Sequence, residues 1–142
     1  MYINKSATLA EVFENVAKKG TNEEKASLLK RYDTELLRWY IDALYNGEYS
    51  KLSLPEFKYS KVAPGVAFMR MKQAIPRLNS ALKYVDNKRI SERNLLLVLE
   101  NISKEEAVLI EKLIRGEKRI DGVSKAVFKK AYPQFFQSTQ TS

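Results

Sequence analysis

The chain of 142 residues contains no cysteine and no histidine. Without cysteine there is no disulfide, no thiolate metal ligand and no thiol nucleophile. Without histidine the commonest general base and the commonest metal ligand are missing as well. An enzyme made from this sequence would have to run on carboxylates, lysine, serine, threonine or tyrosine alone. The composition therefore favours a non-enzymatic binding protein with no cofactor. No uninterrupted apolar run approaches the ~20 residues of a membrane span. The opening MYINKSATLAEVFENV carries acidic residues and lacks the apolar centre of a secretion signal, so an intracellular location away from any membrane is expected.

What the sequence does have is positive charge. There are 25 Lys and Arg against 17 Asp and Glu, a formal net charge of +8. Residues 1–60 hold nine of each sign, so the whole excess lies beyond residue 60, with sixteen cations and eight anions. From Lys112 to Lys130 seven cations face only Glu117 and Asp121. Asymmetry of this kind points to a polyanionic partner.

The apolar pattern predicts an all-α fold of about six to seven short helices. Thr8-Leu9-Ala10-Glu11 reads as a capping box, followed by Leu9, Val12, Phe13 and Val16 at helical spacing and a stop at Gly20. Thr21 to Glu24 opens a second helix. A third begins near Asp33 or Thr34, carries Leu37, Tyr40, Ile41 and Leu44 inward, and ends at Gly47. Residues 48–65, with Pro55, Pro64 and Gly65, predict an extended crossover. A fourth helix is expected from about Val66 to Val85, split or kinked by Pro76. Ser91 is a candidate N-cap for a fifth helix, and Ser103 to Glu106 reads as another capping box, for a helix closed by Gly116. The last helix begins near Ser124 and stops at Pro133. Residues 1–7 are expected to form an arm, 8–136 one domain and 137–142 a polar tail.

Several clusters invite a chemical reading. The pairs Glu23/Glu24 and Glu105/Glu106 fall in first helical turns, where carboxylates complement the macrodipole, and this accounts for them better than a metal site does. Arg119-Ile120-Asp121-Gly122 approaches the Lys-x-Asp-Gly motif of nucleotidyltransferases. It places a permanently protonated arginine where that motif needs a nucleophilic lysine, so it reads as a turn. Aromatics interleaved with cations, such as Lys58-Tyr59 and Phe128-Lys129, could stack bases, but most aromatics sit at core spacing. Ser91 and Ser124 carry more information. Each is read as opening a helix, with Lys88, Arg89 and Arg93 around the first and Lys118, Arg119 and Lys125 around the second. Lys129 lies one turn further along. Helix starts flanked by cations are phosphate sites in the making.

The order of segments resembles the N-terminal DNA-binding domain of phage-type ATP-dependent DNA ligases over about residues 8–136. Two stretches carry the likeness: Glu24-Lys25-Ala26-Ser27-Leu28-Leu29-Lys30 followed by Asp33-Thr34-Glu35-Leu36-Leu37-Arg38, and Leu113-Ile114-Arg115 through Gly122-Val123-Ser124 to Tyr132-Pro133. The start Thr8 to Val16 and the aromatic-proline ending are also similar to an uncharacterised family of small proteins from large tailed phages. The ligase likeness implies a helical module that grips double-stranded DNA by its backbone, largely across the minor groove. The tailed-phage likeness implies a phage origin, and together they lead to the expectation of a role in phage replication, repair or recombination within the host cytoplasm. On the ligase likeness the family's G-x-S motif falls on Gly122 and Ser124, its basic loop on Arg115, Lys118 and Arg119, and its second phosphate-contacting turn on Ser91, Glu92 and Arg93, with Glu92 where the family has glycine. No Lys-x-Asp-Gly is present, so the likeness implies the grip without ligation. A second reading is a module that docks on a phage or host replication protein through an exposed aromatic end, Tyr132, Phe135 and Phe136.

Overall fold

The computed structural model describes residues 7–54 and 69–136. Among them the chain is helical, and its only β features are two isolated bridges. In order the helices are α1 (Leu9–Ala17), α2 (Asn22–Arg31), α3 (Glu35–Asn46), α4 (Met71–Lys83), α5 (Lys88–Leu99), α6 (Lys104–Arg115) and α7 (Lys125–Ala131), with single 3-10 turns at Tyr49–Lys51 and Pro133–Phe136. The residues expected in the N-terminal arm before Ala7, most of the crossover including Pro55, Phe57, Lys58, Tyr59 and Pro64, and the polar tail lie outside the described residues.

Local signals explain most of the boundaries. Thr8 and Thr21 each accept from the N–H three residues on, and Glu11 and Glu24 return the bond to the cap backbone, completing two capping boxes. Thr34 accepts from Leu37 N–H at 3.1 Å and sets the start of α3. Ser103 does the same for α6 through Glu106 N–H, and Gly116 closes that helix in the left-handed conformation, φ 71°. Of the two outcomes expected at Pro76 the split does not occur, for α4 runs through it from Met71 to Lys83, and two helix starts are corrected. The start is later than expected because Met69 is drawn into extended pairing, its N–H donating to Asn101 O at 3.0 Å beside an isolated bridge to Ile102. The fifth helix opens one turn before Ser91: Asn87 is the N-cap, and its side chain accepts from Ile90 N–H.

By its packing the chain groups into two compact units. One comprises Met1–Asn46 with Lys118–Ser142, the other Gly47–Glu117. The chain passes between them beside Gly47 and just after Gly116, the two glycines that end α3 and α6.

In the first unit α1, α2 and α3 are joined by α7, which comes from far along the chain. The core centres on aromatic rings from separate elements. Phe13 lies 5.9 Å from Phe128, edge to face, and 5.7 Å from Tyr40, while Tyr45 lies 5.7 Å from Phe128 and 4.8 Å from Phe136. Such pairs contribute about 0.5–1.5 kcal/mol each beyond their burial. A seven-residue helix is far below the length that is stable alone. α7 persists because Val127, Phe128 and Ala131 are buried and the segment packs along α2. After it, the Tyr132 hydroxyl donates to Asp33 Oδ1 at 2.6 Å, and Arg38 holds the other carboxylate oxygen at 2.5 Å.

In the second unit α4 and α5 form a helical pair, with α6 and the Tyr49–Lys51 turn against them. Ala74 and Ala81 on α4 are fully buried, and their small side chains let the α5 stripe of Ser91, Leu95, Val98 and Leu99 come close. Tyr49 donates its hydroxyl to Asn79, tying the 3-10 turn to α4.

Two predictions rest on this architecture. Gly122 has φ 78°, and a Cβ there would sit 2.6 Å from Ala17 Cβ, whereas a Cβ at Gly20 meets only Glu24 Oε1 at 3.5 Å. Gly122→Ala should therefore lower unfolding free energy by about 1–3 kcal/mol in urea titration, and Gly20→Ala should change it by less than about 1 kcal/mol. Burial pushes the Tyr40, Tyr45 and Tyr132 hydroxyls above the ordinary tyrosine value, Asp33 adding to the effect at Tyr132. The unfolded chain loses these protons near pH ~10 while the folded chain keeps them, so stability is full below that pH and falls as pH rises through it. The urea midpoint should drop between about pH 9 and 11, and less steeply in Tyr40→Phe.

Candidate nucleic-acid interface

The segment from Lys118 to Ser124 links α6 to α7 and turns tightly within it. Val123 N–H donates to Ile120 O at 3.0 Å, and Gly122 occupies the third turn position with positive φ, as a type II turn requires. The turn that the sequence suggests at Arg119-Ile120-Asp121-Gly122 thus forms one residue further on, over residues 120–123. The close approach of Ala17 fixes it to the end of α1. Lys25 reaches across from α2, its Nζ donating to Gly122 O at 2.8 Å. Lys118 Nζ donates to Tyr45 O at 3.3 Å, and Lys125 Nζ stands 5.9 Å from the centre of the Phe136 ring.

These contacts shape an open groove of about 570 Å³ in the first unit. Of the residues singled out from sequence, Lys118, Arg119, Gly122, Ser124 and Lys125 line it together, joined by Asn22 and Lys25 of α2. Four cations thus share one concavity with a single carboxylate, Asp121. The contacts to Gly122 O and Tyr45 O are to neutral carbonyls, so they orient the ammonium groups without cancelling their charge. Ser124 is the N-cap residue of α7, but its side chain makes no capping bond. Lys129 is exposed on α7 outside the groove lining, and its neighbour Lys130 lies 3.7 Å from Glu23 Oε1.

The remaining candidates belong to the second unit. Lys88, Arg89 and Arg93 are exposed on α5. Ser91 is not the cap that its place in the sequence predicts: it lies inside α5, is 7% exposed, and donates its hydroxyl to Ala81 O at 2.9 Å. Its position on the stripe shared with Leu95 and Val98 turns it towards α4, which removes it as a helix-start phosphate ligand. Lys88 and Ser91 border a smaller groove of about 280 Å³ with Lys51, Ser53 and Glu92. Arg115, at the end of α6, pairs with Glu117 at 3.8 Å.

Charge at the helix starts divides into two groups. α1, α2, α3 and α6 carry carboxylates in their first turns, as the macrodipole favours. α4, α5 and α7 carry none, and open on Lys72, on Lys88 with Arg89, and on Lys125. A cation in that place opposes the dipole by about 0.3–1 kcal/mol, so stability alone gives no reason for it. Among the described residues no three carboxylates gather so as to hold a metal ion, and no helix is long and apolar enough to cross a membrane.

The sequence reading missed Lys25 and Asn22 as groove residues. Lys25 and Gly122 are 97 positions apart, and only the packing of α2 along α7 brings them together. The chain matches no family model, no curated protein and no solved structure.

Proposed function

We propose that this is a non-enzymatic DNA-binding protein that grips the backbone of double-stranded DNA with low sequence specificity, in phage replication, repair or recombination. The observation that carries the reading is the groove of the first unit, where Lys25, Lys118, Arg119 and Lys125 converge beside one carboxylate. Fixed cations around a concavity suit phosphate oxygens, whose contacts position a protein on the duplex without reading its sequence. The cationic starts of α4, α5 and α7 agree with a protein whose charge is arranged for an anion supplied from outside. The likeness to ligase DNA-binding domains supplies the choice of duplex DNA, and the likeness to small proteins of large tailed phages supplies the phage setting.

The reading in which an aromatic end docks on a replication protein has less support. Tyr132 is buried and bonded to Asp33, and the Phe136 ring packs against Tyr45. These contacts leave the aromatic end engaged in its own unit.

Fluorescence anisotropy on a short duplex tests the proposal. Four phosphate-neutralising cations predict a slope of roughly −3.5 in log K against log salt, with similar affinities for unrelated sequences. An affinity indifferent to salt would reject the reading. The paired charge reversal Arg119→Glu with Lys125→Glu should abolish binding at physiological salt while far-ultraviolet circular dichroism stays unchanged, since both residues are exposed.

A further inference from the structure

We infer that Lys25 acts twice in the groove, latching the Gly122 turn to α2 and at the same time donating to a backbone phosphate. α2 would then be a wall of the anion site equal in importance to the loop before α7. The inference rests on the DNA-binding reading above and assigns a contact that neither the sequence pattern nor the ligase likeness provides.

An ammonium group has three N–H donors and no acceptor. One N–H of Lys25 goes to Gly122 O at 2.8 Å, and two remain. The side chain is half-buried and lines the same concavity as Lys118, Arg119 and Lys125. Because its bonded partner is a neutral carbonyl, the full positive charge is still available to an anion. Its rotamers are already restricted by that bond, so ordering it on binding costs less than the ~0.5–1.5 kcal/mol usual for a free long side chain.

Two neighbours make the comparison. Lys129 is exposed and lies off the groove lining. Lys130 lies off it too and sits 3.7 Å from a Glu23 carboxylate oxygen, which offsets part of its charge. If regional charge alone drew the polyanion, the three lysines would be interchangeable. If the latched ammonium is a phosphate donor, Lys25 stands apart from the other two.

The test compares Lys25→Met, Lys25→Arg and Lys130→Met with the unaltered protein on one short duplex across a salt series. Lys25→Met should weaken binding by about tenfold at low salt and flatten the salt slope by about one, the signature of one lost phosphate contact. Lys25→Arg, which keeps charge and donors, should restore the slope, and Lys130→Met should leave it unchanged. Thermal unfolding of each variant separates the latch from the contact: a lowered unfolding temperature with an unaltered slope would overturn the inference, as would equal slope changes in Lys25→Met and Lys130→Met.

Failure of the unaltered protein to bind duplex would instead overturn the function proposed above. In that event inorganic phosphate, titrated against isotope-labelled protein, still decides the role of Lys25. Joint amide shifts of Lys25 and Gly122 that disappear in Lys25→Met support it, and shifts that persist there, or none at all, reject it.

Discussion

The Phe128 ring holds the first unit together. It lies against Phe13 of α1 and Tyr45 of α3, is fully buried, and belongs to a helix too short to exist without those contacts. Everything on the basic side of this unit follows from that anchoring. The Lys118–Ser124 segment has a defined course because α7 is pinned beyond it and Ala17 meets Gly122 within it. The groove cations thus rest on this aromatic cluster, which Lys118 meets at Tyr45 O and Lys125 at the Phe136 ring. Removing so large a buried ring from a core generally costs about 3–5 kcal/mol, much of the stability of an ordinary small domain. Packing and charge placement are one problem in this unit, solved by the same few aromatic residues.

Much of the helical architecture is legible in the sequence because its signals are local. The Thr8 and Thr21 capping boxes, the Thr34 and Ser103 caps and the Gly116 stop each depend on residues within four positions, and the structure forms each of these caps. Errors arose where a residue had two local options. Ser91 can cap a helix or sit on the inner stripe of one, and burial against Ala81 decided for the stripe, leaving Asn87 as the cap. Pro76 can split a helix or kink it, and α4 runs on through the lost N–H, consistent with a helix held by Met71, Ala74, Leu78 and Ala81 on its buried face.

The candidate interface was legible in part for the same reason. Lys118, Arg119, Gly122, Ser124 and Lys125 are neighbours along the chain, and their grouping survives folding. Lys25 could not be found this way, since its place in the groove depends on a contact across most of the sequence. The division into two units also lies beyond local signals, although Gly47 and Gly116, read as helix stops, stand beside its two crossing points. Lys88, Arg89 and Arg93 on one side and Lys118, Arg119 and Lys125 on the other belong to different units, which charge counting along the chain does not distinguish.

The discontinuous makeup of the first unit sets an order of events during synthesis. α1, α2 and α3 leave the ribosome early, but the turn that faces Lys25 and the helix that brings Phe128 arrive only after the whole second unit has been made. Contacts this distant in sequence form late and slowly. A nascent chain therefore holds α2, with its lysine, and no opposing wall. The lining of this groove is therefore assembled only once α7 has been made and packed along α2.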